Sequence, residues 1–140
     1  MDVRDDVVDI LSGFSLFADL STPERESLVD TFSEETFQVG DRVLRQGLSG
    51  SNFYVVLEGT ASIMVDGVDR SMVRPGDYFG EISTLLGVPP TADIVARERL
   101  RCLVLPGADL EAFLVTHPRV MYRLLQGEAR KVRTTTRWLS

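Results

Sequence analysis

Residues 79–96 read FGEISTLLGVPPTADIVA. Gly80 and Gly87 bracket a short apolar run, Glu81 stands near its start, and Pro89-Pro90 closes it. The physical reading is a strand end followed by one short helical turn. A glycine at position 80 lets a ligand or another stretch of backbone approach closely. The first N–H groups of a turn over Ile82–Leu86 have no partners within that turn, and with the helix dipole they favour an anion. Glu81 then has two readings. It faces elsewhere and accepts a hydrogen bond from a hydroxyl, or it simply caps the turn, where a carboxylate is favourable.

Outward from this loop the chain alternates with a period of two. TFQVG, DRVLRQ, SNFYVVLEG, TASIMVDG, VDRSMVRPG, ADIVARE and RCLVLP are short segments rich in β-branched and aromatic residues. Gly40-Asp41, Gly47, Gly50, Gly59, Gly67 and Pro75-Gly76 punctuate them. VDGVDR predicts a hairpin with Asp66-Gly67 at its tip. Evenly spaced short strands predict a sandwich or β-roll. The spacing breaks once, at residues 79–92, and a β-roll this small gains nothing from an insertion there, so function is sought in that loop.

Both ends read helical. Val7, Ile10, Leu11 and Phe14 recur at helical spacing. In STPERESLVDTF, Ser21 or Thr22 can cap a helix, Pro23 suits its first turn, and Glu24 can complete a capping box. Leu28, Val29 and Phe32 are expected to face inward. A short helix from Asp109 to Thr116 breaks at His117-Pro118. A longer helix follows from Pro118 beyond Arg133, with Met121, Leu125, Ala129 and Val132 as an apolar stripe. Gly127 inside it costs about 1 kcal/mol relative to alanine. The expected architecture is mainly β with flanking helices. It is one domain over 1–140, with N-terminal helices (1–33), a jelly-roll-like β-roll or double-stranded β-helix (34–105) and C-terminal helices (106–140).

The 140 residues are 44% hydrophobic and 26% charged, the balance of an ordinary globular domain. A net charge of -6 argues against nucleic-acid or anionic-membrane binding by bulk electrostatics. No apolar run is long enough to span a bilayer, and the acidic start MDVRDDVVDI lacks a signal peptide's apolar stretch, so the expected location is cytoplasmic. A single cysteine, Cys102, excludes an internal disulfide and a cysteine-rich zinc site.

Phe79-Gly80-Glu81-Ile82, Gly87 and the run Ala92-x-Ile94-x-Ala96 resemble the phosphate-binding cassette of cyclic nucleotide-binding domains. Gly50 through Gly59 and Arg74-Pro75-Gly76-Asp77-Tyr78 are similar to the family's strands upstream, and the helix–roll–helix order agrees. The resemblance implies a non-catalytic sensory domain. It implies ligand contacts from Gly80, Glu81, Ile82, Ser83, Thr91 and Ala92, with Glu81 accepting a ribose hydroxyl and Thr91 offering its hydroxyl and N–H to a phosphate. In members of the catabolite-activator type, Thr135 and Thr136 would fall where adenine is contacted across a dimer, and the Met121–Val132 stripe would be the dimer seam. The implied ligand is cAMP or cGMP, with no other cofactor and no metal.

One departure is sharp. The family's phosphate-binding arginine would stand at position 90, and this chain has Pro90. Guanidinium grips a phosphate bidentately, and a charged hydrogen bond of this kind is worth about 1.5–3 kcal/mol. Proline also removes an N–H. Asp93 adds a negative charge that either repels a phosphate or alternates outward. Arg97, Arg99, Arg101, Arg123 or Arg130 can be asked to replace the missing charge. The remaining candidates have plain readings: His117 as a solvated turn residue, Cys102, Phe53, Tyr54 and Phe79 as core. Trp138 reads as terminal packing or a purine stack, and Arg130, Lys131, Arg133 and Arg137 as a solvated basic face.

Three functions follow. The leading one is a sensor of a small anionic ligand that signals through its last helix to an effector protein. The alternative is a degenerate, ligand-independent interaction module, motivated by Pro90. The third is a catabolite-activator-type transcription factor, whose helix-turn-helix would begin where this sequence stops, so no specific DNA binding is expected of this chain alone. No nucleophile–base pair, metal cluster or Walker-type loop points to an enzyme.

Overall fold

The computed structural model describes residues 3–48 and 52–136. Helix α1 (Val3–Leu11) buries Val7 and Leu11, and Ile10 and Phe14 pack beside them. Helix α2 (Thr22–Val29) begins at Ser21, whose hydroxyl accepts from the Glu24 N–H while Glu24 accepts from the Ser21 N–H. That is the reciprocal capping box expected of this spacing.

Among the described residues eight strands follow: β1 (Ser33–Phe37), β2 (Arg42–Leu44), β3 (Asn52–Glu58), β4 (Ala61–Val65), β5 (Val68–Val73), β6 (Tyr78–Phe79), β7 (Asp93–Ala96) and β8 (Leu100–Pro106). They form two four-stranded antiparallel sheets, β1-β8-β3-β6 and β2-β7-β4-β5, a β-roll of jelly-roll order. β4 and β5 turn at Asp66 (φ 53°) and Gly67 (φ 77°), two positive φ values in succession, as a two-residue hairpin requires. β1 starts three residues before the TFQVG segment. Its two glutamates are tolerated because it is an edge strand, paired only with β8.

The central strands β3 and β8 are near-continuous apolar runs because both of their faces are covered. Phe53, Val55, Leu57, Leu103 and Leu105 face the helices, packing on Phe17, Leu28 and Phe113. Tyr54, Val56, Leu100, Cys102 and Val104 face the inside of the roll, against Leu44, Ala61, Val73, Ile94 and Ala96. Burial pushes the Cys102 thiol up to about 12, so it is an inert core residue. Arg101 has the helix-facing parity, and its guanidinium meets Glu34 of β1, Asp6 of α1 at 3.1 Å and Glu58 of β3 at 3.0 Å.

Between β6 and β7 lies the short helix α3 (Glu81–Leu86). After β8 come α4 (Leu110–Thr116), the break at His117-Pro118, and α5 (Pro118–Thr136). His117 is partly buried at that break, its Nδ1 2.9 Å from the Phe113 carbonyl and its ring against Phe113. α5 buries Val120 and Leu124, whereas Met121, Leu125 and Val132 are exposed. Its first half is tied down by Asp19, which accepts from Arg119 and Arg123 and is held well below the usual carboxylate range, first by the Arg123 bond and then by Arg119.

Candidate functional site

The break in strand spacing is where the structure opens. Gly80 has φ 88°, and a Cβ there would stand 2.1 Å from the Asn52 carbonyl oxygen. The close approach that demands glycine is therefore to the backbone of β3. This contact turns the chain from β6 into α3 and aims the cassette at the roll interior. Thr84 and the Thr84 N–H both donate to the Gly80 carbonyl, and Ser83 donates to the Val88 carbonyl at 2.5 Å. The Pro90 carbonyl accepts from the Gly47 N–H, fixing the far end of the loop to the segment after β2.

The folded loop walls a cavity of about 210 Å³. Its floor is apolar, from Leu44, Ile63, Phe79 and Ile94. Its rim is Gly80, Glu81, Ile82 and Ser83 on one side and Pro90, Thr91 and Ala92 on the other, so seven of the nine sequence-nominated positions come together. Thr135 does not join them: it is exposed, and its hydroxyl donates back to the Lys131 carbonyl at 3.0 Å. Thr136 ends α5, and its side chain lies outside the described residues, as does Trp138.

Among the described residues, the remaining wall comes from Tyr78 and Lys131. Lys131 lies on α5, and its Nζ donates to Glu81 Oε1 at 2.9 Å and to Glu128 Oε1 at 3.3 Å, 4.6 Å from the centre of the Tyr78 ring. Glu81 is 4% exposed. Burial raises its pKa, the Lys131 charge opposes that, and its own N–H donates to the carboxylate. The two readings of Glu81 thus resolve into a third: a buried carboxylate paired to the last helix. Sequence reasoning placed Lys131 on a solvated basic face. The signal that finds it is helical spacing, because Val120, Leu124, Gly127 and Lys131 recur at the intervals of one inward stripe.

None of the proposed arginine substitutes lines this cavity. Arg97 donates to Ser62, Arg101 meets its three carboxylates and Arg123 is paired with Asp19. Asp93 turns outward, where it pairs with Arg42 at 3.0 Å and accepts from the Gln46 N–H at 2.6 Å. It is no obstacle to an anion. Among the described residues, no helix is long and apolar enough to cross a membrane.

A cassette of this geometry, inserted in a jelly-roll and overlaid by a C-terminal helix, defines a class. The chain belongs to the cyclic nucleotide-binding domain family, whose model matches residues 34–117, a regulatory and generally non-catalytic family. Among solved structures it is similar to the catabolite activator protein of Thermus thermophilus, at 28% identity and a TM-score of 0.81, covering 89% of this chain and 61% of that one. It is 32% identical to the N-terminal domain of a transcriptional regulator from Streptomyces coelicolor A3(2), with a TM-score of 0.69, covering 94% of this chain and 95% of that one. It also shares its fold with the regulatory subunit of a cAMP-independent protein kinase A from Trypanosoma brucei, at 24% identity and a TM-score of 0.74, covering 90% of this chain and 47% of that one. A triple variant of that subunit, with a glutamate and a valine changed to alanine and a threonine to arginine, is bound to cAMP in its A site.

Proposed function

We propose that this domain is a ligand-responsive switch: a cyclic nucleotide, cAMP or cGMP, enters the cassette cavity and displaces α5, and the displaced helix is what an effector protein or a second copy reads. One observation carries this reading. A wall of the cavity belongs to α5, and the volume of about 210 Å³ lies below the about 300–1,000 Å³ usual for sites that take drug-sized ligands. A mononucleotide that takes the Glu81 oxygen displaces Lys131 of α5, so occupancy and helix position are coupled. In the occupied state Glu81 accepts a ribose hydroxyl, and Thr91 with the N–H groups of Ile82 and Ser83 receives the cyclic phosphate. The exposed stripe of Met121, Leu125, Ala129 and Val132 is our candidate homodimer seam, which would bring Thr135 and Thr136 to the base.

A second reading keeps the fold as a ligand-independent interaction module. Pro90 favours it, as does Glu81, whose carboxylate already has an ammonium partner. The Trypanosoma subunit supports the idea that this fold serves regulation without cAMP. Calorimetry of the wild type and of Pro90→Arg with cAMP and cGMP separates the two. Saturable heat from the wild type supports the switch. A silent wild type beside a Pro90→Arg variant that binds supports the module.

A further inference from the structure

Gly127 stands in the middle of a 19-residue helix, where propensity disfavours it. The structure supplies the reason. A Cβ at this position would lie 2.1 Å from the Tyr78 hydroxyl, which sits in the notch and donates to the Leu124 carbonyl at 3.3 Å. One helical turn further on, Lys131 reaches Glu81. Tyr78 and Glu81 are three residues apart at the β6–α3 junction, so one short segment of the cassette grips one turn of α5 at two points.

The chemistry of the second grip is specific. The ammonium has three protons, and it faces two carboxylates and one aromatic ring. Lys131 has a side chain 52% exposed, whereas that of Glu81 is 5% exposed. Releasing the lysine to solvent is therefore cheap, while leaving the ionised carboxylate buried without that charge is not. While Glu81 stays ionised, a group with a hydroxyl or amide donor is what takes the lysine's place.

We propose that Tyr78 in the Gly127 notch and Lys131 on Glu81 form a latch that holds α5 against the cassette, and that Lys131 is a built-in competitor for the Glu81 oxygen that a ligand hydroxyl would use. The latch stands on geometry alone; the competitor role rests on the function proposed above. The family resemblance assigns no role to Lys131, Tyr78 or Gly127.

Hydrogen–deuterium exchange on the full chain tests the latch. Lys131→Met and Glu81→Gln should each speed exchange of the second half of α5 by about 5- to 30-fold, the ratio carried by one or two kcal/mol, with β3 and β8 amides unchanged. The double variant should be no faster than the faster single variant. Rates within twofold of the wild type, or effects that simply multiply in the double variant, overturn the latch. Should a charge variant loosen the β core as well, Gly127→Ala decides. It should speed α5 exchange alone, and Gly127→Ala with Tyr78→Phe should exchange more slowly than Gly127→Ala, since the clash is gone although the bond to Leu124 goes with it; no such relief overturns the notch.

Titration with cAMP tests the competitor role. Tighter binding by Lys131→Met than by the wild type supports it, and equal or weaker binding overturns it. No binding by either protein overturns it together with the cyclic-nucleotide reading, and leaves the latch to exchange alone.

Discussion

Gly80 and Arg101 show how single residues set the cassette and the frame around it. At Gly80 two costs coincide: a left-handed φ of 88° and a Cβ position 2.1 Å from the Asn52 carbonyl. Conformation alone costs about 1–2 kcal/mol for a residue with a Cβ. Gly80→Ala should therefore lower stability in urea unfolding by more than about 1–2 kcal/mol and shift amide NMR signals of both β3 and α3. Arg101 is 9% exposed and serves three carboxylates from different elements. Removing one partner of a fully buried pair costs about 3–5 kcal/mol, but Asp6 and Glu58 are half exposed, which reduces the penalty. Arg101→Met should cost about 1–3 kcal/mol in the same measurement and loosen the docking of α1. Glu81 was legible as a candidate from its motif. Its partner was not, because the Met121–Val132 stripe of the same helix competes with the Val120–Lys131 stripe in sequence, and it is the second that the fold turns inward. Asp93 was undecided because the outward Arg42 that neutralises it is distant in sequence.

At the scale of elements, local rules carried furthest. The Ser21–Glu24 capping box and the Asp66-Gly67 hairpin depend on neighbours within a few residues, and both are formed. Gly127 shows where such rules stop. Propensity predicts that Gly127→Ala stabilises α5 by about 1 kcal/mol. The Tyr78 notch predicts the opposite sign, a loss of stability that Tyr78→Phe relieves, readable in thermal unfolding. The two ends of α5 should also part company in acid. Glu81 has its pKa raised above the ordinary 4.5 by burial, against the pull of Lys131 and with the push of Glu128. It takes up its proton first, ending the ion pair without weakening the fold, since the folded state binds that proton more readily than the unfolded chain. Asp19 has its pKa lowered below 3.8, so its contribution persists above that value and is lost only as the pH falls through the depressed folded value. As acid protonates Glu81, at a pH above its ordinary carboxylate value, protection should fall in the second half of α5 while the first half holds, once intrinsic exchange rates are divided out.

For the whole molecule, the fold was legible because the strand period, the glycine punctuation and the cassette motif all pointed to one architecture. The function is less so, since a family fold does not fix a ligand. Pro90 gives the clearest handle. Restoring a guanidinium through Pro90→Arg should tighten cAMP binding by about 10- to 100-fold, the worth of one charged hydrogen bond, as read by calorimetry. Movement of α5 on occupancy of the cassette cavity is what the proposed switch requires. Cys102 is buried and its thiol is held protonated, so introduced surface cysteines can be labelled selectively. Spin labels at Leu86→Cys on α3 and Thr134→Cys on α5 would report the distance between cassette and helix by double electron–electron resonance during a cAMP titration. Occupancy should produce a second, longer distance whose population rises with the calorimetric binding curve. Binding heat with no change in that distance, or a wild-type protein that binds no cyclic nucleotide at all, would contradict it.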